Sequence, residues 1–443
     1  MVSQRISSIR APHLHLHEGA SSCLDLDGAA VQSPLILLEG DALTKLRELS
    51  AGSVHCCVTS PPYWQMRDYE LEPLIWNGVA DCPHEFIPLG KKTAHPDRST
   101  SGEKDHHGNG KYTDRIARGS QPAKAARGVE LQFGELCSRC GCWRGSLGLE
   151  PTVDLYIEHL VQIFREVRRV LRRDATLWLN LGDTFTKGRI KVGKRIIGRK
   201  NLVGIPWRTA IALQEDGWYL RRDHIWEKPT VSPESAPDRC TTSHEYLFLL
   251  SKSDRYYYDL DAIKEPTSGN AHSRGKGVGP KAMRPVAGWA YGAGAHTALA
   301  HNRPGRDGGS QKHALIRGKQ NPSYQGTLTR VVESRNRRSV WKIAAQPYKG
   351  AHFATFPTKL VEPCVLAGSA SACCSRCEKP HRNGLPNCDC RSREIQCVVM
   401  DCFAGTGTVG KVALELGRRA ILIEINPNYV EMIKDRCTVE PDA

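Results

Sequence analysis

Apolar residues follow two periods along this chain, and the switches between them mark its elements. Leu35-Ile36-Leu37-Leu38 is an unbroken apolar run ending in Glu39-Gly40-Asp41, the pattern of a short buried strand. Leu43, Leu46 and Leu49 then recur at helical spacing. Val54-His55-Cys56-Cys57-Val58 reads as a second buried strand. It must stop at Thr59-Ser60-Pro61-Pro62-Tyr63-Trp64, because neither proline can donate a ladder hydrogen bond. From Pro151 the period lengthens: Tyr156, Leu160, Phe164, Val167 and Leu171 share one helical face. Strand patterns follow at 175–181, 218–226 and 244–250, with a helix over 206–216 closed by Gly217.

The last fifty residues alternate strand, glycine-rich turn, helix, strand and helix, at 397–403, 404–407, 408–416, 420–425 and 427–437. Such alternation predicts an α/β fold with a doubly wound, parallel sheet. Residues 1–33 show no period and are expected to be a disordered tail, including the alternating His13, His15 and His17. Residues 88–130 read as a long loop.

Charge changes this picture in one place. The chain has 443 residues and a formal net charge of +15. Residues 264–345 hold 15 Lys and Arg against three acids, and so carry most of that excess. A solvated insert and a nucleic-acid contact both fit this segment. No apolar run approaches the ~18 residues of a membrane span, and no secretory apolar stretch follows the N-terminus. A reducing compartment is expected, so the 17 cysteines call for metal before disulfides.

Asp401-Cys402-Phe403-Ala404-Gly405-Thr406-Gly407 sits where a strand passes into a helix. Gly405 and Gly407 allow close backbone approach to a ligand at the helix N-terminus. Glu424 ends the next strand, where a carboxylate can accept ribose hydroxyls. By itself this turn leaves NAD open, since Gly410 completes a dinucleotide-like spacing.

The earlier proline motif narrows the choice. Thr59-Ser60-Pro61-Pro62-Tyr63-Trp64 resembles the catalytic motif of the exocyclic-amino DNA methyltransferases, and Asp401 to Gly407 resembles their S-adenosylmethionine loop. Catalytic motif first and cofactor loop last is the permuted order of the β group, in its Thr-Ser-Pro-Pro-Tyr form. Gly40-Asp41-Ala42-Leu43 resembles the cofactor-adenine motif, and His352-Phe353-Ala354-Thr355-Phe356-Pro357 the motif beside the methionine end. Trp226 to Pro229 and Ser243 to Tyr246 also fit the family.

The resemblance implies a Rossmann-like methyltransferase domain over 34–437. It implies Ser60, Pro61, Pro62 and Tyr63 as catalytic residues. Asp41, His352, Phe356, Pro357, Asp401, Phe403, Gly405, Gly407 and Glu424 would bind S-adenosylmethionine. Ser60 Oγ and the Pro61 carbonyl would accept the amine N–H groups and free the nitrogen lone pair for in-line attack, while Tyr63 stacks on a flipped base. Ser60 in place of Asp is the usual choice of N4-cytosine members, with N6-adenine as the alternative. Pro363-Cys364 carries the letters of a C5-cytosine nucleophile but lies on a predicted helix and reads as structural. Double-stranded DNA is the implied partner, a cognate restriction endonuclease a further one, and the cytoplasm (bacterial, phage or nucleoid-associated) the setting. An RNA methyltransferase and a non-catalytic DNA-binding protein are the rival classes.

Three inserts are expected. Cys82 and His84 with Cys137 and Cys140 form a zinc set in an insert at 79–150, with Cys142 as a substitute ligand. The basic segment at 264–345 stands where the family commonly reads its target, so Arg335, Arg337 and Arg338 become candidate DNA contacts. Cys374, Cys377, Cys388 and Cys390 make a compact zinc knuckle at 368–394, with Cys373 able to replace Cys374. Four protein ligands at each site would make both metals structural.

Overall fold

A computed structural model describes residues 33–69, 71–94, 129–266, 334–346, 356–377, 379–382 and 384–437. The expected N-terminal tail and its histidines, His352, and most of the basic segment lie outside them. The chain divides into two compact units, one of residues Met1–Tyr257 with Lys342–Ala443, the other Tyr258–Trp341.

The first unit is built on β1 (Leu35–Glu39), α1 (Ala42–Glu48), β2 (Val54–Thr59), α2 (Val153–Val170), β3 (Leu171–Leu181), α3 (Ile205–Glu215), β4 (Tyr219–Glu227) and β5 (His244–Ser251). The chain later returns as α4 (Thr358–Gly368), β6 (Val398–Asp401), α5 (Thr408–Glu415), β7 (Arg419–Glu424) and α6 (Pro427–Arg436). Within this unit the strand order is β1-β7-β6-β2-β3-β5-β4. The strands run parallel from β1 to β3. Then β5 lies antiparallel to both β3 and β4. The sheet is therefore mixed, not wholly parallel as the alternation suggested. A parallel return needs a crossover, and α3 supplies one between β3 and β4. The β4–β5 connection contains no helix, so the chain reverses into the gap.

Every residue of β2 is buried, which explains its continuous apolar run. Helix α2 presses Tyr156, Leu160, Ile163, Phe164 and Val167 onto the sheet, all at most 1% exposed. Each such side chain contributes about 1.5–3 kcal/mol of burial. Thr152 caps the helix by accepting the Leu155 N–H at 3.3 Å. The Gly217 stop holds as expected, with φ +97°.

The described residues at and beside the first insert form strands. Leu74–Trp76, Trp143–Gly145, Glu135–Cys137 and Phe86–Pro88 form a four-stranded antiparallel sheet. Lys91–Ala94 pairs with Val129–Gln132 where loop was expected. Trp76 and Trp143 both stack on His159 of α2, with ring centroids 4.3 and 5.4 Å away. His159 Nδ1 lies 2.9 Å from Glu150 Oε1, and neither side chain is exposed. At the other insert, Ala372–Cys374 pairs with Glu394–Gln396.

In the second unit Glu265–Pro266 pairs with Ser334–Arg335. Glu265 Oε1 accepts from Arg335 Nε at 2.8 Å and from Arg338 Nε at 2.9 Å. Arg337 lies over the Trp341 ring, 4.7 Å from its centroid. Among the described residues no helix is long and apolar enough to cross a membrane.

Candidate active site and cofactor cavity

Sheet order brings the two distant motifs together. β6 and β2 are neighbours, so the glycine turn after Asp401 and the proline turn after Thr59 emerge side by side. One cavity of about 440 Å³ joins them. Ser60, Pro61, Pro62 and Tyr63 line it together with Asp41, Phe356, Phe403, Gly405 and Glu424.

At the glycine-turn end, Glu424 is 7% exposed. Its Oε2 accepts the Gly405 N–H at 2.7 Å and its Oε1 the Asn426 N–H at 2.8 Å. Burial pushes this carboxyl up to about 7, against the pull of those N–H groups. A carboxylate at the cavity wall, fixed by two backbone donors, keeps lone pairs for hydroxyl donors. With Phe403 and Phe356 supplying apolar surface, the lining fits a nucleoside-bearing cofactor such as S-adenosylmethionine. Gly405 has φ +52°, a conformation that glycine adopts without steric cost.

Three expected cofactor residues do not line the cavity. Asp401 is 1% exposed and does not line the cavity; it accepts from Thr59 Oγ1 at 2.6 Å and from the Phe403 N–H at 3.0 Å. It thus ties the two turns to each other, and burial pushes its carboxyl up to about 7. Gly407 is also absent from the lining. It caps α5 at φ +76°, where a Cβ would lie 2.9 Å from Ile433. Pro357 precedes α4 as its N-cap and is buried outside the cavity. Asp41 lines the cavity while its Oδ1 caps α1 through the Thr44 N–H at 2.9 Å.

At the proline-turn end, Ser60 Oγ donates to the Asn180 carbonyl at 3.2 Å. The Tyr63 hydroxyl donates to Glu245 Oε2 at 2.7 Å and accepts from Asn180 Nδ2 at 2.6 Å. Burial, then the Glu245 carboxylate, push this phenol well above its ordinary range, so it stays a neutral donor. Lys228 Nζ bonds Glu245 Oε1 and sits 4.4 Å over the Trp226 ring. The backbone approaches the Tyr63 ring so closely at Gly182 that a Cβ there would lie 2.6 Å from Cε2. Behind the motif, the Pro62 carbonyl accepts the Tyr156 hydroxyl at 2.8 Å.

Asn180 was not singled out from sequence, and Lys228 and Glu245 only as parts of matching stretches. Asn180 is the last residue but one of β3, and the one strongly polar residue in its apolar stretch 175–181. That oddity was the available signal. Pro363 and Cys364 are buried within α4, away from the cavity.

Both cysteine sets converge. The ligand atoms of Cys82, His84, Cys137 and Cys140 lie within 4.8 Å of one another, as do those of Cys374, Cys377, Cys388 and Cys390. Cys142 Sγ also comes to 3.5 Å from His84 Nδ1, so a fifth donor is at hand. The Arg376 and Cys377 N–H groups both point to Cys374 Sγ at 3.4 Å. Cys373 instead groups with His55 and Cys397, all buried. His55 Nδ1 accepts the Val398 N–H at 3.1 Å, which leaves the ring proton on Nε2 and unsuits that nitrogen for a metal.

Comparison with known proteins shows the family. The family model described as DNA methylase (N6_N4_Mtase) matches residues 54–435. The type II methyltransferase M.Cfr9I of Citrobacter freundii is 32% identical over 435 residues, covering 94% of this chain and 90% of the relative. The type II methyltransferase M.SmaI of Serratia marcescens is 31% identical over 442 residues, covering 96% of each. Among solved structures, the PvuII DNA methyltransferase (cytosine-N4-specific) aligns with 14% identity and a TM-score of 0.44, over 93% of this chain and 89% of that one. The chain belongs to this DNA methylase family, and is a β-class, S-adenosylmethionine-dependent DNA methyltransferase that acts on an exocyclic amine, N4 of cytosine or N6 of adenine.

Proposed function

We propose that the chain methylates N4 of cytosine at a specific site in duplex DNA, using its Ser-Pro-Pro-Tyr turn. The observation carrying this reading is the placement of Ser60 and Pro61 in the same cavity as Glu424. A serine at the first position is the usual choice of the N4-cytosine members that the motif resembles. Bound S-adenosylmethionine supplies an electrophilic methyl group, and Glu424, Phe403, Gly405, Asp41 and Phe356 would hold it. Asp401 and Gly407 act through the shape of the loop.

The protein's own groups prepare the amine. The Asn180 carbonyl fixes the Ser60 hydroxyl, so its lone pairs are left for one amine N–H. The Pro61 carbonyl, held by two proline rings, accepts the other. Drawing both hydrogens to fixed acceptors favours a pyramidal nitrogen with a free lone pair. Asn180 and Glu245 lock the Tyr63 ring as a stacking surface for the extruded base. Mass spectrometry of nucleosides from plasmid DNA, incubated with protein and cofactor, should show N4-methylcytosine as the only new base. N6-methyladenine in its place would reassign the target, and product only from RNA would overturn the reading.

Arg335, Arg337 and Arg338 are proposed DNA contacts within the second unit. The Arg338 side chain remains 69% exposed beside Glu265. The type II relatives support a restriction–modification setting, with a cognate endonuclease and a bacterial or phage cytoplasm. Each cysteine set is proposed to hold one structural zinc, because four protein donors leave no open position. Purified protein should then carry close to two zinc ions by elemental analysis. Cys137→Ser should lose one and loosen the first insert, since metal binding there is folding free energy. A folded protein with no zinc would remove both sites.

A further inference from the structure

Between Asp183 and Gly204 the chain leaves the sheet and returns as an arm. Asp183 closes its root by accepting the Gly204 N–H at 3.0 Å and the Ile205 N–H at 3.1 Å. The arm contains a two-stranded ribbon, Ile190–Val192 paired with Arg195–Ile197. Residues 187–200 hold seven Lys and Arg and no acid. All seven are exposed: Lys187, Arg189, Lys191, Lys194, Arg195, Arg199 and Lys200. Among the described residues only Lys200 forms an ion pair, with Asp238 at 2.6 Å.

The ribbon is held in shape before any partner arrives. At its base the Thr186 N–H donates to the Asn201 carbonyl and the Lys200 N–H to the Thr186 carbonyl, both at 2.9 Å. At its turn the Gly193 N–H donates to Asp154 of α2 at 2.7 Å. Val192 is 5% exposed and packs inward, while Ile196 is 69% exposed. Six cations along one fixed arm, with no ion pair among the described residues, repel one another, a cost that a polyanion removes.

We propose that this ribbon binds the phosphate backbone of the DNA duplex next to the target nucleotide. The arm grows from the end of β3, which carries Asn180 and is followed at once by the Gly182 that abuts Tyr63. A two-stranded ribbon also has the width to enter a major groove. The inference rests on DNA as substrate and holds for either target base.

The test is a salt titration of binding to a labelled plasmid-derived duplex, read by fluorescence anisotropy. With Lys191→Ala, Lys194→Ala and Arg195→Ala combined, the slope of log K against log salt should flatten by about 0.9 per lost phosphate contact, up to about 2.7. Affinity at low salt should fall at least about tenfold. A matched variant with Lys191→Arg, Lys194→Arg and Arg195→Lys should keep the wild-type slope. Calorimetry of S-adenosylmethionine binding to both variants checks that the cavity is intact. If the alanine variant loses cofactor binding, Lys194→Ala alone carries the test, with a slope change of about 0.9 against none. Wild-type slope and affinity in the intact alanine variant would overturn the proposal.

Discussion

Ser60→Ala should lower single-turnover methyl transfer by on the order of 10²-fold, about 2.7 kcal/mol of transition-state stabilisation. The hydroxyl is small and half-buried, and it donates to the Asn180 carbonyl at 3.2 Å, with the Tyr63 hydroxyl a longer alternative at 3.5 Å. Removing that bond should cost roughly 1 kcal/mol of stability or less. DNA and cofactor affinity should change little, because Ser60 carries no charge and Glu424 stands at the other end of the cavity. The loss should therefore appear in the rate of the bound complex and not in KM. A variant that transfers methyl at the wild-type rate would remove Ser60 from the chemistry.

Glu150→Ala should destabilise the protein by about 3–5 kcal/mol in chemical unfolding, the scale for stripping one partner from a buried polar pair. Glu150 accepts the Gly148 N–H at 2.8 Å and faces His159 Nδ1 at 2.9 Å. Burial raises its carboxyl above the ordinary range, while His159 and the Gly148 N–H pull it back down. His159 Nε2 is already buried without a partner, so the ring cannot turn to compensate. The damage should also reach the Ser-Pro-Pro-Tyr turn. Trp64 donates to the Glu150 carbonyl at 2.8 Å, and the Gln65 N–H to the Gly148 carbonyl at 2.6 Å. Glu150→Gln, which keeps the shape and one acceptor, should lose clearly less. A loss below about 1 kcal/mol for the alanine variant would show that water replaces the carboxylate freely.

How legible this molecule was depended on whether a signal lay within one stretch of chain. β1, β2, α2, α3 and the last three elements were readable from period and breakers, because each buries a face set by local spacing. The glycine turn and Ser60 to Tyr63 stand out as motifs that the fold brings to one cavity, and both cysteine sets as spacings whose ligand atoms converge. The reversed direction of β5 was not readable, because a strand buried on both faces looks alike in either direction. Asp401 shows a different limit. Its place in the motif pointed to the ligand, yet burial turned its carboxylate inward, toward Thr59. The pair of Glu150 and His159 joins an insert to the Ser-Pro-Pro-Tyr turn across stacked tryptophans. No spacing rule reports such a contact.

The pairing of β1 with β7 has a consequence for how the chain acquires its structure. Leu35 registers with Ala420, so the first described strand finds its neighbour only after the nearly four hundred residues between them have been made. β1 makes no other partner in the sheet order, and until β7 is synthesised its apolar edge stays open. Contacts of such separation form slowly, because the closure entropy of the intervening chain comes first. During translation β2, α2 and β3 can assemble early, whereas the Glu424 end of the cavity closes last. A nascent chain therefore holds the Ser-Pro-Pro-Tyr end of the cavity before the Glu424 end exists, and a ribosome stalled before β7 leaves an aggregation-prone intermediate.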